Sequence, residues 1–243
     1  MIFKGLAMDH PQTAESTRSQ KRQVIIACRV MEPELVHCVS EGNGADDGTQ
    51  ILYLEQALHR TPDKLIVKVQ EMIDQTASHA SRIILGYGLC SKGVVGVTAR
   101  EVEIVIPRCH DCIALFLGSP ERHLEIFREK PGTYYLTPGW VAEKKDPLGI
   151  IEENVPKFGR ETARWVVEEE LKHYTHIVLI DTGVSDMAPL RARAMENANL
   201  LKKQYEEIPG SLDYFRELLR GPYREGKFLR LRPGETFTQE MVV

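Results

Sequence analysis

PRCHDC, residues 107–112, puts two cysteines, a histidine, an aspartate and an arginine within six positions. Such side chains bind metals, carry protons or attack electrophiles. Cys109 and Cys112 have the spacing that lets two thiolates share one zinc ion or join an iron–sulfur cluster. His110 can add an imidazole ligand or move a proton, and Asp111 can orient that ring. Arg108 can grip a small anionic substrate, because a guanidinium meets a carboxylate or phosphate in bidentate fashion. A thioredoxin-like dithiol is disfavoured, since Pro107 and Arg108 precede the first cysteine where that motif usually carries an aromatic residue.

Two further cysteines fall at similar places. Cys28 closes the apolar run QVIIACR, and Cys90 lies in GYGLCSKG after RIIL. With Cys109 and Cys112 they form a pool of four thiols for a metal. GYGLCSKG departs from the dinucleotide fingerprint, because Ser91 stands where the third glycine belongs. Gly86, Gly88, Ser91 and Gly93 can still cradle an anion if a helix starts there; the competing reading is a tight strand-to-helix turn. The same helix start would lower the Cys90 thiol pKa, which makes a metal-free cysteine nucleophile the third option. Cys38, in ELVHCVS, reads as an ordinary helical residue with His37 as its surface neighbour. Glu55 and His59 share a helical spacing, and a surface pair is favoured over a ligand pair. Arg60 is a second candidate anion grip. Trp140, in GTYYLTPGW, suits the wall of a cleft, and Asp181 ends a buried run where a carboxylate needs a partner or a capping role.

The elements that carry these residues repeat. QVIIACR, RIILGYG, VEIVIP and THIVLIDTG are short continuous apolar runs, as expected of strands covered on both faces. TYYL adds another strand, and KFLRLRPGE alternates in the manner of an edge strand. ILYLEQALH reads as helix. Thr61 and Pro62 start a helix with Ile66, Val69, Met72, Ile73 and Ala77 on one stripe. ETARWVVEEELK is helical, and a long helix follows with Ala194, Met195, Ala198, Leu201 and Tyr205 on one face, broken by PGS before a last helix through Leu219. This predicts an α/β chain of mostly parallel sheets with flanking helices, arranged as two similar lobes around a central cleft. Residues 1–20 read as a flexible extension, 21–118 as the lobe with the cysteine loops, and 119–243 as the second lobe. Cys28, GYGLC, PRCHDC, TPGW, Asp181 and Arg232-Pro233-Gly234 each follow a strand, and ligands bind outside the carboxyl ends of parallel strands.

Composition narrows the function classes. A net charge of -4 predicts no nucleic-acid surface. No apolar run approaches the roughly 20 residues that span a bilayer, and MIFKGLAMDHPQT lacks a secretory core, so a cytoplasmic chain is expected. Five cysteines are an odd number for a disulfide framework, which fits reduced thiols.

ILYLEQALHRTP, IILGYGLCSKGVVG, IPRCHDCIALFLGS, PGTYYLTPGW and IDTG together resemble a bacterial and archaeal family of unknown function, numbered 1638. The resemblance runs from about Cys28 to the final PGE and rests on long strings. Its pattern falls on Cys28, Gly86, Gly88, Cys90, Gly93, Arg108, Cys109, His110, Asp111, Cys112, Tyr134, Thr137, Gly139 and Trp140. Lys92 stands where the family more often has asparagine. The resemblance implies a setting beside corrinoid-dependent methyltransferases in anaerobes, and with it one-carbon or methyl-transfer metabolism. The first expectation is therefore a zinc or iron–sulfur enzyme with Cys28, Cys90, Cys109 and Cys112 as ligands. The second is an accessory protein that binds a metal, a corrinoid or a partner methyltransferase without turning over a substrate.

Overall fold

The computed structural model describes residues 21–41, 48–89 and 92–241. The proposed extension, 1–20, and the candidates Cys90 and Ser91 lie outside the described residues. QVIIAC becomes β1 (Arg22–Cys28), buried from Val24 onward. After a 3-10 turn over Arg29–Met31 comes α1 (Glu32–Ser40). β2 (Gln50–Leu54) runs parallel to β1, with Ile25 opposite Ile51. β3 (Ala80–Gly86) flanks β1 on its other side, and β4 (Ile104–Pro107) flanks β3, both parallel.

The second sheet is β5 (Thr133–Leu136), β6 (His176–Asp181) and β7 (Gln204–Pro209), all parallel, with β6 in the middle. The chain is thus a mixed α/β protein with two sheets and flanking helices. The helices are α2 (Pro62–Thr76), α3 (Ile113–Leu117), α4 (Pro120–Glu129), α5 (Pro138–Ala142), α6 (Pro147–Phe158), α7 (Arg160–Glu170), α8 (Met187–Leu201) and α9 (Asp213–Arg220). α2 starts with Pro62 at its first position and buries Leu65, Val69, Ile73 and Thr76 against the first sheet.

The structure corrects several sequence readings. ILYL is strand, not helix, because ladder bonds to β1 outweigh its local pattern. The rest of that segment is a 3-10 turn over Gln56–Arg60, and Glu55 is extended, so Glu55 and His59 do not stack on one α-helix. The long helix stops at Leu201, where Lys202 turns left-handed (φ 54°), and Tyr205 belongs to β7. The final strand, β8 (Phe228–Leu231), is an edge strand, but it pairs antiparallel with β4, Pro107 opposite Phe228. Arg232-Pro233-Gly234 therefore lies at the opposite end of the sheet from the cysteine loops. α9 and β8, which the sequence places after the division at 118/119, pack into the core of the first sheet through Tyr214, Phe215, Leu218 and Phe228.

Two of the contacts between the sheets bear on the site. Gly139 of α5 sits on the turn after β1, where an added Cβ would stand 1.9 Å from the Val30 carbonyl oxygen. Glu34 of α1 is fully buried, and its Oε1 accepts the Thr182 hydroxyl at 2.8 Å from the loop after β6. Its Oε2 is buried and has no hydrogen-bond partner among the described residues. Burial pushes the Glu34 carboxyl up from 4.5 to about 7, against the smaller opposing effect of the Thr182 bond. A raised folded pKa gives stability that is complete below the unfolded value and is lost as pH rises through the folded one. For Glu34 that window runs from 4.5 to about 7, and the gap corresponds to about 3 kcal/mol. Glu34→Gln should flatten this part of the profile. Urea denaturation of both proteins at pH 5 and pH 8 checks it, and an unchanged difference between the two pH values would rule the assignment out.

Candidate functional site

The carboxyl edge of the first sheet brings the cysteine loops together. Ala27 is opposite Gly86, Cys28 opposite Leu54, and Ile84 opposite Val105. Beyond the strands, the loop after β3 lies directly on PRCHDC. The Leu89 N–H donates to the Cys109 carbonyl at 2.9 Å. An added Cβ on Gly88 would lie 2.9 Å from the Asp111 carbonyl carbon, 3.0 Å from the Cys112 nitrogen and 3.1 Å from the Cys109 oxygen. Gly88 therefore permits close approach of two backbones. An added Cβ on Gly86 would be more crowded still, 2.6 Å from the Ala27 Cβ. The helix start expected at Ser91-Lys92-Gly93 falls on Ser91, outside the described residues, and Lys92 is in a 3-10 turn. Residues 92–96 form tight turns, with Lys92 at φ 66° and Gly93 buried.

Cys28 and Cys112 line one small cavity of about 10 Å³, enough for a single water or ion. His59 and Glu55 close it from the 3-10 turn after β2, Tyr87 from the end of β3, and Trp140 from α5. Cys112 also lines an adjoining space of about 140 Å³ with Asp111, Tyr134 and Tyr135. A groove of about 390 Å³ follows, walled by Arg60, Tyr134, Lys145, Glu153, Glu170 and Tyr174. His59 and Trp140 border all three spaces. A fourth cavity, about 430 Å³, opens beside α1 between Arg29, His37 and Glu143. Its Arg29 is tied to Glu32 and its His37 to Glu41, and it holds none of the site residues expected from the sequence.

The other candidates are dispersed. Cys109 is buried and lies near Tyr214 of α9, whose hydroxyl burial pushes far above its ordinary value. The two thiols of the C-x-x-C pair thus have different surroundings. His110 is exposed. Asp111 caps the start of α3, its Oδ1 accepting the Ile113 N–H at 2.9 Å. Arg108 faces the C-terminal segment, its N–H donating to Lys227 O at 2.7 Å and its Nη1 to Glu225 O at 3.5 Å. Arg60 pairs with Glu170 at 2.9 Å. Asp181 takes the capping role, accepting the Gly183 N–H at 2.8 Å. Cys38 is fully buried on the inner face of α1, and burial pushes its thiol up to about 11.

Trp140 is positioned from two sides. Thr137 caps α5, its Oγ1 accepting the Trp140 N–H at 3.2 Å. The indole Nε1 donates to the Lys145 carbonyl at 2.9 Å, and the Tyr134 hydroxyl donates to the same oxygen at 2.8 Å. Burial pushes the Tyr134 and Tyr135 phenols up to about 12. Residues missed as site candidates are Tyr87, Tyr135 and His123, and His59 was placed at the surface. His123 packs edge-on against Tyr135, ring centres 6.0 Å apart, and burial lowers its pKa while Asp111 opposes.

Among the described residues, no three His, Cys, Asp or Glu side chains are grouped to hold a metal ion. Nor is any helix among them long and apolar enough to cross a membrane. A family model described as a protein of unknown function (DUF1638) matches residues 53–219, which takes in GYGLC, PRCHDC and TPGW but leaves out Cys28 and the PGE segment. No curated protein and no solved structure matches the chain. The close docking of the two loops gives a direct check. Gly88→Ala should cost about 1–3 kcal/mol in urea denaturation by overpacking, and an unchanged midpoint would show that the loops part without strain.

Proposed function

The chain belongs to the DUF1638 family, and from that premise we propose an enzyme whose reaction centre is the space between Cys28, Cys112 and His59. The observation that carries the reading is that Cys28 at the end of β1, Cys112 in the turn after β4 and His59 line a cavity the size of a single ion. Thiolate and imidazole are the donor set of zinc sites. The described residues supply fewer than three grouped donors, so the reading needs Cys90, which follows Leu89 in sequence, as a further ligand. An iron–sulfur cluster would call on Cys109 as well, and Cys109 does not line this cavity, so the donors present favour zinc. Bound there, the metal would supply Lewis acidity or hold a thiolate for methyl transfer.

The chain's own residues have separate tasks. Trp140, fixed through its indole N–H, covers the cavity and keeps water out. His59 stands where cavity and groove meet and can pass a proton between them. Arg60, rather than Arg108, lines the groove through which an anionic substrate would come. The setting in one-carbon or methyl-transfer metabolism comes from the family resemblance. A second reading has one observation in its favour: Cys112 borders both the inner cavity and the adjoining space, as a thiol nucleophile would.

Elemental analysis after anaerobic purification separates the two. About one zinc per chain, or iron with a broad absorbance near roughly 400 nm, is expected. Cys28→Ser and Cys112→Ser should each lose it while circular dichroism stays native. Absence of metal after anaerobic reconstitution would overturn the metal reading. Selective alkylation of Cys112 by iodoacetamide near neutral pH would then support the nucleophile.

A further inference from the structure

The groove that meets His59 has a lining whose formal charges cancel. Its volume, about 390 Å³, suits a small ligand, since such pockets run from roughly 300 to 1,000 Å³. Arg60 Nη2 is 2.9 Å from Glu170 Oε1, and Lys145 Nζ is 2.9 Å from Glu153 Oε2. The two pairs are neighbours. The Lys145 bond holds the Glu153 carboxyl below its ordinary value, and the charge of Arg60 adds to that effect. Three aromatic side chains line the same groove. Tyr134 and Tyr174 meet edge-on, ring centres 5.8 Å apart, and Tyr134 and Trp140 are both anchored on the Lys145 carbonyl.

We propose that this groove binds a small zwitterion, with a cationic nitrogen at one end and a carboxylate at the other. An anion that paired with Arg60 and Lys145 would leave Glu153 and Glu170 without partners. A simple cation would strand Arg60 and Lys145 in the same way. A zwitterion's carboxylate can bridge Arg60 and Lys145 while its cation bridges Glu153 and Glu170, so neither sign is left without a partner. The exchange is cheap, because Arg60, Glu170 and Glu153 are about half exposed and ion pairs of that kind add little to stability. The faces of Tyr134, Tyr174 and Trp140 attract the cationic end through their ring quadrupoles. Arg60 offers the carboxylate a bidentate fork.

This deepens the substrate side of the proposed function, and rests on that reading only for the groove as the approach to His59. Binding is therefore measured without turnover. The purified protein is titrated calorimetrically with 4-aminobutanoate and its trimethylammonium analogue, and with butanoate and tetramethylammonium as one-ended controls. At least one zwitterion is expected to bind about tenfold or more tightly than either control, the increment of one charge-assisted contact. Arg60→Gln and Glu153→Gln should each weaken it about tenfold, with circular dichroism and metal content unchanged. Tyr174→Leu should weaken the trimethylammonium compound more than the primary amine. Butanoate binding as tightly as both zwitterions would make this an anion site, tetramethylammonium doing so would make it a cation site, and no binding by any of the four would refute the inference. Failure of the metal reading is distinguishable, because it leaves zwitterion binding intact in a protein without metal.

Discussion

The approach of Gly139 to the Val30 carbonyl sets the position of everything around His59. A Cβ at 139 would stand 1.9 Å from that oxygen, so only glycine lets α5 settle on the turn that follows Cys28. Trp140 is the next residue, and it packs against both hydrophobic cores. Lifting α5 by the width of a methyl group would carry the indole away from Cys28 and Cys112. The wall shared by the inner cavity and the groove would go with it. Thr137, which caps α5, and Lys145, whose carbonyl receives the indole and the Tyr134 hydroxyl, hold the same turn from the second sheet.

Much of this was legible in the sequence, for a physical reason. VIIAC, RIIL, IVIP and IVLID are buried on both faces, and such strands show as unbroken apolar runs. Their carboxyl ends fall on one edge in a parallel sheet, so Cys28, GYGL and PRCHDC can be assigned to that edge from sequence, while their being neighbours depends on a strand order the sequence does not carry. β2 and β7 are misread because neither carries a buried residue on either face. QYEEIP carries two glutamates and continues the stripe of α8, and only the left-handed Lys202 marks the stop. Within the site, side-chain direction was not legible. Cys109 and Cys112 differ by less than one helical turn, yet Cys112 meets the cavity and Cys109 the surroundings of Tyr214. His59 was hidden because its segment was taken for a surface helix.

Buried polar groups concentrate where the two sheets meet. Glu34 and Thr182 pair across the junction, and Tyr134, Tyr135 and Trp140 surround the spaces beside Cys112. Burial raises the pKa of each titratable member of this set. The phenols therefore stay neutral in the ordinary pH range, and they act as fixed dipoles rather than charges. A low-dielectric wall of this kind strengthens any charge interaction formed inside it.

The antiparallel strand β8 has a bearing on how the molecule is made. β4, which leads into PRCHDC, is flanked on one side only by residues 228–231, and the ion pair between Arg230 and Glu103 beside it links positions 127 residues apart. As the chain emerges from the ribosome, β4 keeps an open row of amide and carbonyl groups while the whole second sheet is synthesised. Pairings of such long sequence separation are slow to form, because loop closure must precede them. The loop that carries Cys109 and Cys112 thus acquires its final support late, and the thiols pass through a stage in which one edge of their sheet is unguarded.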